Sequence, residues 1–148
     1  MSYARKNAII AIIIWTVILG GLIAVVLGPG VEQFTDPDRS LWRALTAAII
    51  LPGFLFNIWL GWRSKQGKKV GQLDERDDAV ARRASEATLI VVTAVIYLTS
   101  IILYETHLDS GTVPTGWLYL IAYGTMALVS LVHAAATLVV DSGGVTDG

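Results

Sequence analysis

The sequence predicts an all-α fold, an integral membrane four-helix bundle, from the length, composition and flanking charges of its apolar segments. Four apolar stretches are each close to the roughly 20 residues that a helix needs to cross the hydrocarbon core of a bilayer. They lie at about residues 8–28, 44–62, 87–104 and 117–140. Of the 148 residues 54% are hydrophobic and 16% are charged, and nearly all of the charged residues lie outside the four stretches. These helices are therefore apolar on all faces, which is typical of lipid exposure.

The first span follows two basic residues, Arg5 and Lys6, and in this respect is similar to a secretory signal peptide. Its apolar run is longer than a usual signal core and ends without a small-x-small cleavage pattern. We therefore interpret it as a retained signal anchor. The segment 29–40 that follows contains turn-forming residues and is predicted to be an exposed, solvated loop.

The second span has small or polar residues at every fourth position, and the first and fourth spans have similar stripes. Small residues let helix backbones approach closely in lipid, so such stripes predict either the bundle core or the seam of a homo-oligomer. Pro52 lies inside the second span and can kink it. The stripes consist of Gly53, Asn57 and Gly61, of Gly20, Ala24 and Gly28, and of Tyr123, Ala127, Ser130, Ala134 and Thr137.

The segment 63–73 is polar and basic and contains two glycines, so we expect a linker between the second and third spans. Near an anionic membrane surface each basic residue contributes about 1 kcal/mol of attraction. The residues expected to contact lipid headgroups are Arg63, Lys65, Lys68 and Lys69.

A charged segment runs into the third span without proline or glycine, so we expect that span to continue into the cytoplasm as an amphipathic, charged helix. Asp74 is a candidate N-cap with Asp77 three residues later. Acidic residues in the first turn stabilise a helix, because they interact favourably with its dipole. Asp78 and Arg82 form a favourable i, i+4 pair. The expected partner surface consists of Asp74, Glu75, Arg76, Asp77, Asp78 and Arg82.

The string Asp74-Glu75-Arg76-Asp77, followed by Ala84 and Thr88 at the entry to a span, resembles the D-E-R-[DE] motif of a family of small predicted membrane proteins. These archaeal and bacterial proteins belong to a domain of unknown function. The resemblance covers residues 74–100 closely and the four-span layout loosely. It implies a multi-span membrane protein and supplies no activity.

The same aspartates are similar to the opening of the motif of CDP-alcohol phosphatidyltransferases, in which clustered aspartates bind divalent metal ions. That motif requires a glycine where this chain has Asp78. It also requires a later glycine and two further aspartates, and the matching positions hold Val91, Val95 and Thr99. Because the metal site cannot be completed, we predict no enzyme, no metal and no cofactor.

The middle of each span lacks Asp, Glu, Lys and Arg, which usually mark ion or proton paths. Small multidrug transporters, which are of similar length, depend on a carboxylate in the first span that is absent here. Counting about 1.5 Å per residue from the inner ends places Asn57, Thr93 and His133 within about 3 Å of one depth, with Thr16 slightly deeper. We therefore hypothesise one buried hydrogen-bonded layer formed by Thr16, Asn57, Thr93 and His133.

Basic residues in short loops stay on the cytoplasmic side, and nine of the eleven lie before the first span or between the second and third. The remaining two are Arg39 and Arg43, and segment 105–116 has none. We therefore expect both termini in the cytoplasm and the protein in the cell (plasma) membrane. The nine residues are Arg5, Lys6, Arg63, Lys65, Lys68, Lys69, Arg76, Arg82 and Arg83.

The sequence excludes several classes of protein and site. It contains no cysteine, which excludes disulfides and thiolate sites, and its net charge of -1 does not indicate nucleic-acid binding. Four spans leave no room for a soluble domain, so 1–148 is predicted to be one membrane domain.

For function we predict a small non-enzymatic accessory, regulatory or assembly subunit that acts through helix packing and its charged cytoplasmic helix. The expected partners are membrane lipids and a protein partner or second copy. The alternative is a small oligomeric transporter or channel subunit, which would need a polar path through the bundle.

Overall fold

A computed structural model describes residues 3–66 and 75–142, and within them the side chains of 5–59 and 79–142. The described residues form helices and connecting turns. In chain order the elements are α1 (Tyr3–Leu27), α2 (Val31–Phe34), a single 3₁₀ turn (Pro37–Arg39), α3 (Ser40–Gln66), α4 (Glu75–His107) and α5 (Thr115–Ser142).

Four of these helices, α1, α3, α4 and α5, are long and apolar enough to cross a membrane. The predicted fold class, all-α with four candidate membrane spans, is confirmed.

Helix α5 is the centre of the bundle. It packs extensively along α1 and α4, and α3 joins it with a smaller contact. α3 also touches α1, where the Trp15 ring lies 3.7 Å from the position that a Cβ on Gly53 would occupy. Trp15, which is too deep for an interfacial belt, is therefore a packing residue and is only 4% exposed.

The antiparallel order of the helices gives the bundle two distinct ends. Thr88 of α4 meets His133 near the end of α5, and Thr46 of α3 meets Tyr119 near the start of α5. We call the end that carries segments 28–39 and 108–114 the loop end, and the opposite end the terminal end.

The buried residues differ in spacing between α1 and α4. In α1, Ala8, Trp15 and Leu22 recur every seven residues, the period of left-handed helix packing. In α4, buried residues recur every fourth position, which suits close approach through small side chains. They are Val80, Ala84, Thr88 and Val92.

Two of the three small-residue stripes have different surroundings. In α5, Ala127, Ser130 and Ala134 are buried, so this stripe lies within the bundle. In α1, Gly20 and Ala24 are exposed, so that stripe lies outside the contacts of the single chain.

Two boundaries differ from the sequence prediction. Helix α3 continues to Gln66, so Arg63 and Lys65 are helical rather than part of a linker. Since 62–66 contains neither glycine nor proline, nothing stops the helix before Gly67. The predicted solvated loop 29–40 instead holds α2 and the 3₁₀ turn, because the Phe34 side chain is fully buried.

Candidate functional site

The four residues of the hypothesised polar layer do not share one buried level. Thr16 and Thr93 lie on exposed faces, Asn57 is half-buried, and His133 is exposed. His133 lies beside Thr88 rather than Thr93, with 3.5 Å between its Nδ1 and the Thr88 Oγ1. The depth count gives only a residue's distance from the end of its span, and it does not say which face of the helix the residue occupies.

His133 and Thr88 lie in a groove between the two helices, which we call the α4–α5 groove. Its volume is about 320 Å³. Its walls are mainly apolar. The lining residues are Ser85, Thr88, Leu89, Val92, Val129 and His133.

The hydrogen bonds of Thr88 determine how it can interact with His133. The Thr88 hydroxyl donates to the Ala84 carbonyl over 2.6 Å, and a hydroxyl has only one hydrogen to give. Towards His133, Thr88 can therefore only accept, which requires the imidazole to carry its proton on Nδ1. At 3.5 Å this contact is at the long limit of a hydrogen bond.

Arg82 lies about one turn before Ser85 in α4, towards the terminal end from the residues that line the α4–α5 groove. Arg82, Ser85 and Leu89 are spaced by three and four residues, so they lie on one face of α4. The Arg82 Nε donates to the Glu86 carboxylate over 3.0 Å, and the Arg82 side chain is 83% exposed. The Arg82–Glu86 ion pair therefore lies beyond Ser85 at one end of the groove, and the rest of the groove is mainly apolar.

A second group of polar contacts joins three elements at the loop end. The Arg43 guanidinium donates to the Phe34 carbonyl over 2.7 Å and to the Asp36 carbonyl over 2.8 Å. The Tyr119 hydroxyl donates to the Arg43 carbonyl over 2.7 Å and lies 2.8 Å from the Thr46 hydroxyl. We call Phe34, Arg43, Thr46 and Tyr119 the loop-end cluster.

Aromatic packing and one glycine complete the loop-end cluster. The Phe34 and Tyr119 rings lie 5.1 Å apart, and the Tyr119 and Tyr123 rings 4.4 Å apart. A Cβ on Gly116 would stand 2.5 Å from the Val31 carbonyl oxygen, so α2 sits directly on the start of α5. The sequence does not predict this cluster, because a phenylalanine in a turn-rich segment gives no periodic signal.

Several serine and threonine hydroxyls within the apolar helices donate to the carbonyl four residues earlier on their own helix, over 2.6–3.2 Å. Each of these hydroxyls therefore has a hydrogen-bond acceptor on its own helix and needs neither water nor a neighbouring helix as a partner. The residues are Thr46, Ser100, Thr106, Thr125, Ser130 and Thr137.

Much of the expected partner surface and of the expected headgroup contacts cannot be placed. Asp74, Lys68 and Lys69 lie outside the described residues. Six further residues lie in described helices with side chains outside the description: Arg63, Lys65, Glu75, Arg76, Asp77 and Asp78. Within the described part of the chain, no three His, Asp or Glu residues are grouped so that they could hold a metal ion.

Apolar helices arranged around α5, with small residues at their contacts and hydroxyls bonded to their own backbone, define a multi-span membrane protein. A family model described as Predicted membrane protein (DUF2178) matches residues 6–141. The chain belongs to this family, whose function is unknown, and the family resemblance expected from the sequence is confirmed. No curated protein and no solved structure matches the chain.

Proposed function

We propose that the protein is a non-enzymatic membrane subunit that binds a partner protein through the end of α4 that projects from the membrane. The observation that carries this proposal is the length of α4. Its 33 residues span about 50 Å at 1.5 Å per residue, whereas the hydrocarbon core is about 30 Å thick. About 20 Å of helix therefore extends beyond the apolar layer.

The described side chains of the projecting part of α4, residues 79–86, lie on two different faces. Val80 and Ala84 are buried, which supports a rigid attachment to the rest of the bundle. Arg82, Arg83 and Glu86 are exposed. An ordered helix with its apolar side covered and its charged side open is suited to recognition of a charged partner surface.

Nine of the eleven basic residues lie before the first span or between the second and third spans. This distribution supports a cytoplasmic location for the projecting part of α4 and for both termini, and hence an accessory or assembly role inside the cell. The hydroxyls bonded to their own helices support packing over transport. Since their hydrogens are already donated to backbone carbonyls, they need no water-filled path to be satisfied.

Site-specific crosslinking tests the proposal. A photoreactive phenylalanine analogue at position 83, in the full chain in its native membrane, is expected to give one reproducible adduct, identified by mass spectrometry. Charge reversal of Asp77 and Asp78 to lysine should weaken this adduct at least several-fold. An adduct of twice the chain mass would identify a second copy as the partner.

The matched control carries the same analogue at position 108, which is also exposed but lies at the loop end. This position should not give the adduct found at position 83. The proposal is contradicted if both positions give the same adducts, or if charge reversal changes nothing while thermal unfolding of the variant matches the wild type.

A further inference from the structure

We propose that the α4–α5 groove binds one anionic phospholipid, with the phosphate beside Arg82 and one acyl chain along Leu89, Val92 and Val129. This inference shares Arg82 with the proposed partner surface but does not require a partner protein. It rests on the change of polarity along the groove, on the depth of the groove and on the position of Arg82.

Polarity changes in the same direction along both walls of the groove. On α4, Arg82 and Ser85 are followed by Leu89 and then Val92. On α5, which runs the opposite way, His133 lies nearer the terminal end and Val129 one turn deeper. A charged end that passes into an apolar channel matches a phospholipid, whose headgroup passes into a hydrocarbon chain.

The charged end lies at the depth where headgroup phosphates are found. Glu86 is the last charged residue of α4 before an uncharged stretch from residue 87 to 104. That stretch has about the length of the hydrocarbon core, so Arg82, one turn before Glu86, lies at the membrane boundary. A phosphate there would not have to enter the apolar layer.

The Arg82 guanidinium is suited to bind a phosphate diester. The contact with Glu86 uses the Nε–H of Arg82, which is one of five N–H groups on a guanidinium. The Arg82 side chain is 83% exposed, so its other N–H groups can reach a phosphate oxygen at the groove entrance. The small Ser85 side chain, whose hydroxyl donates to the Ala81 carbonyl over 2.9 Å, keeps the entrance open.

The test measures lipid immobilisation by electron spin resonance. The full chain is placed in phosphatidylcholine vesicles that contain a trace of chain-labelled phosphatidylglycerol or chain-labelled phosphatidylcholine. We expect phosphatidylglycerol to be immobilised about fivefold more strongly, a preference equivalent to ~1 kcal/mol. Arg82→Gln should reduce the preference for phosphatidylglycerol over phosphatidylcholine to near one. Leu89→Trp, which fills the groove, should abolish the same preference.

Ile90→Trp is the matched control, because Ile90 and Leu89 are 69% and 70% exposed and only Leu89 lines the groove. This control should keep the fivefold preference. Equal immobilisation of both lipids by the wild type, or equal effects of the two tryptophans, would overturn the proposal. The proposal would also be overturned if Leu89→Trp changed the oligomeric state and the wild type showed no lipid selectivity. The groove would then hold a second copy of the chain.

Discussion

At the scale of single residues, the start of α5 shows how one missing atom determines a helix contact. Gly116 is buried, and a Cβ there would stand 2.5 Å from the Val31 carbonyl oxygen and 2.7 Å from its Cγ1. Real Cβ atoms do not approach backbone oxygens so closely, so any larger residue would displace α2. One turn later, Tyr119 uses its hydroxyl to hold the start of α3 through the Arg43 carbonyl.

Gly116→Ala should therefore destabilise the protein by about 1–3 kcal/mol, the usual cost of forcing extra volume into a tight contact. The free energy of unfolding, measured by denaturant titration in mixed micelles, checks this expectation. Gly20→Ala is the control, because nothing lies within 4 Å of a Cβ at that position. The steric account fails if both variants unfold at the same denaturant concentration.

At the scale of elements, α2 and α4 depend on contacts that their own sequences do not reveal. A four-residue helix such as α2 is not stable alone, because helix nucleation is costly. Burial of Phe34 and the two Arg43 hydrogen bonds hold it on the bundle. In α4, small or β-branched side chains every fourth residue permit close packing on α5.

If close approach holds α4 on α5, enlarging Ala84 should separate the helices. Ala84 is fully buried, and Ala84→Leu should cost about 1–3 kcal/mol by overpacking. The same change at Ala94, which lies on the exposed face of α4, should leave the free energy of unfolding nearly unchanged. Equal unfolding of the two variants in mixed micelles would show that residue 84 does not lie at a tight helix contact.

At the scale of the whole molecule, the sequence is sufficient to predict the features that depend on one segment at a time, such as the four spans. Hydropathy and helix length predict four spans because lipid requires every backbone group to be bonded within its own helix. Contacts between segments were less predictable. Phe34 lies among turn residues without periodicity, and the partner of His133 was misplaced by five residues, from Thr93 to Thr88, because span ends do not fix the relative depth of packed helices.

The central claim, four spans with both chain ends in the cytoplasm, can be tested directly because the chain contains no cysteine. Single cysteines at Asp38, Lys68, Ser110 and Ser142 can be treated with a membrane-impermeant maleimide. We expect Asp38→Cys and Ser110→Cys to react in intact cells, and the other two to react only after the membrane is opened. Reaction of Lys68→Cys or Ser142→Cys in intact cells would contradict the account.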